Sequence, residues 1–208
     1  VVAPRWYRWS LLGAFVLLAV ALAVGPPGGR ANWVLGNIPA LVGLATVALC
    51  FWRFPLSSAS STMLVAFLAL HEVGTHFGYR VPWEAVESGR NGYDRVVHAA
   101  FGLLLTPPLR EALTRSGRAA GAWADFLAVA LVLAAAAFYE VTEWIGAELF
   151  WDGPAEDVLG FQGDPLDTTK DMALALGGSL VAAAAGALAR RFRRARASGT
   201  ANPAGAKG

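Results

Sequence analysis

FLAVALVLAAAAFYEVTEW, residues Phe126–Trp144, decides the fold. Phe126–Phe138 is an unbroken apolar run, rich in alanine and leucine, the residues that lose least on entering a helix. A helix that is apolar on every side is either buried or lipid-facing. No glycine or proline interrupts the run, so the spacing predicts one helix over Trp123–Phe150, long enough to cross a bilayer. Its second half changes character. Tyr139, Glu140, Glu143 and Trp144 follow the apolar run directly, which places carboxylates and interfacial aromatics at one membrane face.

The rest of the chain repeats this pattern. Of its 208 residues 56% are hydrophobic and only 15% charged, with mean hydropathy +0.47. Soluble domains carry about a quarter charged residues, spread over polar faces. Here the apolar residues fall in blocks, and six spans are expected: Trp9–Val24, Trp33–Phe51, Ser58–Phe77, Tyr93–Leu113, Trp123–Phe150 and Leu166–Leu188. The expected architecture is an all-α transmembrane bundle over residues 1–189. A basic tail follows over 190–208, rich in glycine and alanine and expected to be disordered. Arg5 and Arg8 before a short apolar run also fit a signal peptide, but no clear small-residue cleavage site follows, which favours a retained helix. A single cysteine, Cys50, excludes an intramolecular disulfide and a cysteine-ligated zinc site.

Charge asymmetry sets the orientation. With both termini cytoplasmic, twelve of the 17 basic residues lie inside, five of them in Arg190–Arg196. Only Arg30, Arg80, Arg90, Arg95 and Lys170 lie outside. Such a bias reports topology in a membrane protein and gives no reason to expect nucleic-acid binding.

That orientation gathers the polar residues at the outer helix ends. His71, Glu72, His76 and Tyr79 end the third helix, and Tyr93, Asp94, Arg95 and His98 open the fourth. Glu140 and Glu143 lie near the end of the fifth, and Asp164, Asp167 and Asp171 open the sixth. Residues three or four apart share a helix face, so Asp94 can reach His98, and Glu140 lies above Glu143. Asp164, Asp167 and Asp171 form one acidic stripe. Carboxylates at membrane depth must pair, protonate, hold a cation or face water. Each also has a plainer role. Asp164 before Pro165 fits a helix N-cap, Asp167 a favoured first-turn acid, and Asp94 a partner of Arg95 or Arg90. Asp171 lies too deep for capping. His71 and His76 imitate a zincin pair but are five apart, roughly 140° around a helix, and cannot share a metal from one face. Pro107-Pro108 is expected to kink or break the fourth helix.

The sequence resembles the YjdF-type inner-membrane proteins of bacteria from about Asn32 to Gly178. His71–His76, Arg90–His98, Phe101–Leu104, Arg110-Glu111, Tyr139–Trp144, Gly160–Asp164 and Asp167–Met172 carry the resemblance. It implies a multi-pass protein of the bacterial inner membrane, from a family without an assigned activity. A fainter similarity is to the VanZ-like membrane proteins. It rests on Asp94–His98, on an acid at Glu140 or Glu143, and on Asp167, Asp171 and Gly177-Gly178. Arg95 stands where that family usually has lysine, and Glu143 where it has glutamine.

Three function classes remain open. In a membrane enzyme, Asp94, His98, Glu140, Glu143 and Asp171 would form an acid–base site acting on a lipid headgroup or envelope precursor. A divalent cation such as zinc, manganese or iron would bind among His71, Asp94, His98, Asp167 and Asp171. In a structural or partner-binding protein the same cluster would only pack helix ends. In a proton-coupled transporter it would relay protons. Substrate and oligomeric state are not encoded legibly.

Overall fold

Two glycines bring the two central helices of the bundle into backbone contact. The structure, a computed structural model, describes residues 2–27, 29–53, 56–82, 92–150 and 164–200. These form α1 (Arg5–Leu22), α2 (Arg30–Arg53), α3 (Ser58–Phe77), α4 (Tyr93–Arg115), α5 (Gly121–Phe150) and α6 (Asp167–Thr200). A Cβ on Gly102 of α4 would overlap the Ala175 carbonyl oxygen of α6, and one on Gly178 would overlap that of Ala99. Membrane helices lack a hydrophobic drive to associate, so small residues that permit such close packing supply much of the contact. Just beyond the crossing, Thr106 donates its hydroxyl hydrogen to the Gly102 carbonyl (2.7 Å). The 2.6 Å contact between Thr106 Oγ1 and Ser179 Oγ is therefore donated by Ser179.

α4 packs against α3, α5 and α6, and α3 carries α1 and α2 on its far side. Arg5–Leu22, Gly121–Gly146 and Asp167–Ser198 are long and apolar enough to cross a membrane, and Trp33–Thr46 is a shorter apolar stretch. α3 and α4 each pack against three other helices, so they have protein-facing sides that can hold more polar groups than sides facing lipid. α5 separates its two faces by size. Ala124, Ala128, Val132 and Ala136 are buried at four-residue intervals, while Phe126, Leu131, Phe138 and Val141 are exposed. Bulky apolar groups meet lipid and small ones meet protein.

The ends of α3 fix its register. Ser57 caps its start by accepting from the Ser60 amide (3.2 Å). Glu111 of α4 accepts from the Ser57 amide and hydroxyl, both at 2.7 Å, and from the Ser60 hydroxyl. α3 ends at Gly78, left-handed at φ 60°, and Tyr79 follows at φ 57°. On the α1 side, Phe15 packs with Val65 and Leu68, and Tyr7 Oη meets Thr62 Oγ1 at 2.7 Å.

α4 is continuous through Pro107-Pro108, although each proline removes a backbone donor. One expectation needs adjustment. α6 continues past Leu188 to Thr200 rather than giving way to a disordered tail at Arg190. Alanine and arginine, both strong helix formers, fill that extension. Residues 201–208, Arg90 and the Gly160–Gly163 part of the family motifs lie outside the described residues.

Candidate functional site

The glycine crossing sets which side chains meet. α4 and α6 run parallel, with Arg95 beside Asp164 and Asp167 at one end and Thr106 beside Ser179 further along. His98 lies one helical turn before Gly102, and Asp171 two turns before Gly178. Both side chains are buried. One ligand atom each from Asp94, His98 and Asp171 lies within 4.8 Å of the other two.

Glu140 of α5 closes the group from a third helix. Its Oε1 is 3.4 Å from His98 Nε2, and Asp94 Oδ1 is 3.5 Å from the same nitrogen. Neither Glu140 Oε1 nor Asp171 Oδ1, both buried, has a hydrogen-bond partner among the described residues. Three carboxylates thus surround one imidazole at the end of the bundle. Their mutual repulsion is relieved only by protons or a cation, since desolvation makes isolated buried charges costly.

The remaining acids at the start of α6 have a different partner. Asp164 Oδ2 accepts from Arg95 Nη2 and Lys170 Nζ, both at 2.6 Å. Asp164 Oδ1 accepts from the Leu166 amide at 3.1 Å. The bond to Lys170, with that amide and the Arg95 charge, holds the Asp164 carboxyl below its ordinary range. α6 begins at Asp167, so Asp164 closes a turn ahead of the helix instead of capping it directly. Buried Asp167 lies 4.0 Å from Arg95. The acidic stripe is therefore divided: Asp164 and Asp167 meet arginine, and Asp171 meets histidine.

His71 stands apart from that group, held at both ring nitrogens. Its Nε2 is 3.1 Å from the Gly36 carbonyl and its Nδ1 is 2.7 Å from Tyr79 Oη. A carbonyl only accepts, so Nε2 carries the hydrogen and Nδ1 accepts from Tyr79. One directed chain results, from Tyr79 through His71 to Gly36. Tyr139 packs against both histidines, its ring centroid 6.2 Å from that of His71 and 6.0 Å from that of His98.

Gly74 makes the chain possible. A Cβ there would stand 2.6 Å from the Tyr79 ring, and the left-handed turn at Gly78-Tyr79 folds that ring back over α3. The sequence placed Tyr79 among the polar residues that end the third helix; no local pattern announces its backward fold.

His76 points elsewhere, donating from Nδ1 to the Leu22 carbonyl (2.6 Å), so the two zincin-like histidines diverge. Glu72 is buried and accepts from Trp33 Nε1 (3.0 Å), and Asn37 joins α2 to Thr75 (3.2 Å). These α2 partners left no pattern in the sequence.

Comparison with known proteins adds a family. Predicted membrane protein (DUF2238) matches residues 7–192. The inner membrane protein YjdF of Escherichia coli (strain K12) is 32% identical over 158 residues, covering 73% of this chain and 75% of the relative. No solved structure matches the chain.

Proposed function

The chain belongs to the DUF2238 family of predicted membrane proteins, and we propose that in it Asp94, His98 and Asp171 hold one divalent cation, with Glu140 beside them as acid–base group. The reading rests on one observation: the three ligand atoms lie within 4.8 Å of one another. Metal–ligand bonds of about 2.0–2.2 Å place adjacent ligands a little over 3 Å apart, so small side-chain movements close the set. Imidazole with carboxylates suits zinc, manganese or iron, and three protein ligands leave a position for water or substrate. A cation there would polarise a substrate oxygen or activate water, and Glu140 is placed to take the proton.

Placement at the helix ends favours a substrate presented from the membrane surface, a lipid headgroup or envelope precursor. The charge bias favours the extracytoplasmic side for these ends, with both termini cytoplasmic. His71 serves in this reading as a positioning residue, because its two ring nitrogens are taken up by Tyr79 and Gly36. Asp167 is assigned to Arg95. A transporter has less support, because Gly102 and Gly178 hold α4 and α6 in backbone contact just beyond the cluster.

The deciding experiment is elemental analysis of protein purified without added metal. About one zinc, manganese or iron per chain is expected, lost in Asp171→Asn and His98→Ala that remain inserted and folded. Metal-free protein that neither binds nor is stabilised by any of these ions leaves the cluster as a packing network.

A further inference from the structure

The opposite end of α4 and α6 carries a second polar feature of opposite sign. A cleft of about 270 Å³ opens between the two helices, with Arg110, Thr114, Gly186, Arg190 and Arg193 in its lining. Arg110 Nε bonds Asp125 Oδ1 of α5 at 2.6 Å, and Arg190 Nη2 bonds both Asp125 oxygens at 2.8 and 2.6 Å. Glu111, also in the lining, is turned to Ser57 and Ser60 and paired with Arg115 at 2.7 Å. Three guanidinium groups are therefore set against the single carboxylate of Asp125. Arg193 is exposed and has no hydrogen bond or ion pair among the described residues. Gly186 leaves room for Arg190 to fold along its own helix, since a Cβ there would meet Arg190 Nη1 at 3.0 Å.

We propose that this cleft binds the phosphate of an anionic phospholipid from the adjoining leaflet, with Arg193 as the free donor and Arg110 and Arg190 as a pre-formed cationic wall. Asp125 fixes two of the guanidinium groups in place and cancels only one of their charges, so the wall is rigid and still positive. Arginine presents a planar fork of donors matched to phosphate oxygens. Basic pockets between membrane helices recognise anionic headgroups on these terms. A lipid fits better than a free anion because Pro107, Ala182 and Ala183 line the same cleft beside the arginines, and α6 is long and apolar enough to cross a membrane, so acyl chains can lie alongside.

Lipid binding to the purified full chain in detergent, followed by native mass spectrometry, tests this with phosphatidylglycerol, phosphatidylcholine of the same acyl chains, and inorganic phosphate. Phosphatidylglycerol should bind at least tenfold more tightly than phosphatidylcholine, and inorganic phosphate should not displace it at millimolar concentration. Arg193→Ala should weaken phosphatidylglycerol about fivefold, the usual effect of one basic residue at an anionic surface. Arg193→Lys should recover part of the loss, while Arg194→Ala, outside the cleft lining, should change nothing. Arg193 is exposed, so these variants leave the packing intact. Equal affinity for the two lipids, equal loss in Arg193→Ala and Arg194→Ala, or full competition by inorganic phosphate would overturn the proposal.

Discussion

Glu140 Oε1 lies 3.4 Å from His98 Nε2, yet that buried oxygen has no hydrogen-bond partner among the described residues. Two carboxylates flank one imidazole nitrogen, Asp94 from the same helix and Glu140 from α5. A third, Asp171, approaches from α6. Such crowding is unfavourable without a counter-charge, which shapes the first expected outcome. Adding the bound cation to metal-stripped protein should raise its thermal midpoint, and the rise should vanish in Asp171→Asn. At a free-ion concentration 100 times the dissociation constant the stabilisation is about 2.7 kcal/mol. An equal rise in both proteins would place the cation elsewhere.

The glycine crossing should be intolerant of even one methyl group. Gly178→Ala pushes a Cβ into the Ala99 carbonyl, so the helices must separate. Destabilisation of about 1–3 kcal/mol is expected, typical of an overpacked contact. Unfolding in mixed detergent would measure it. Gly177→Ala, where a Cβ meets nothing within 4 Å, is the matched control and should be neutral or better.

Tyr79→Phe should be costly. Removing the Tyr79 hydroxyl leaves the buried His71 Nδ1 without its donor, a loss of about 1–3 kcal/mol when a buried group goes unsatisfied. Nitrogen-15 shifts of the imidazole report the same arrangement directly. His71 should be neutral with the hydrogen on Nε2 in the wild type. A hydrogen on Nδ1 would contradict the direction of the chain.

The Asp164 junction has a defined pH window. Its carboxyl is held below the ordinary value of 3.8, chiefly by Lys170. A group depressed on folding adds stability that is complete above its unfolded value and disappears as pH falls through the folded one. The difference in thermal midpoint between wild type and Asp164→Asn should therefore stay constant from pH 7 to pH 5. It should close only below 3.8. A gap that closes near pH 6 would point to a histidine partner instead.

Much of this arrangement can be read in the chain itself. Apolar run length locates the six helices, three of which are long and apolar enough to cross a bilayer. Four-residue spacing pairs Asp94 with His98, and depth beyond the first turn singles out Asp171. Contacts between helices are less legible. Nothing local to Arg95 says that it turns to Asp164 and Asp167 rather than Asp94, since the choice depends on the parallel register of α4 and α6. His71 matches the other candidate ligands by type and position. Its separation from them depends on Tyr79, whose left-handed turn no periodicity announces. Asp125 in an otherwise apolar helix signals a basic partner, but Arg190 lies 65 residues away.

Gly74 and Tyr79 have a joint history to reveal. The ring occupies the space where a side chain at 74 would begin, so neither position can vary freely while the other stays fixed. Across descendants of this chain the pair should be inherited as a unit. Lineages that place alanine or serine at 74 should have given up the aromatic ring at 79, and with it the reason for histidine at 71.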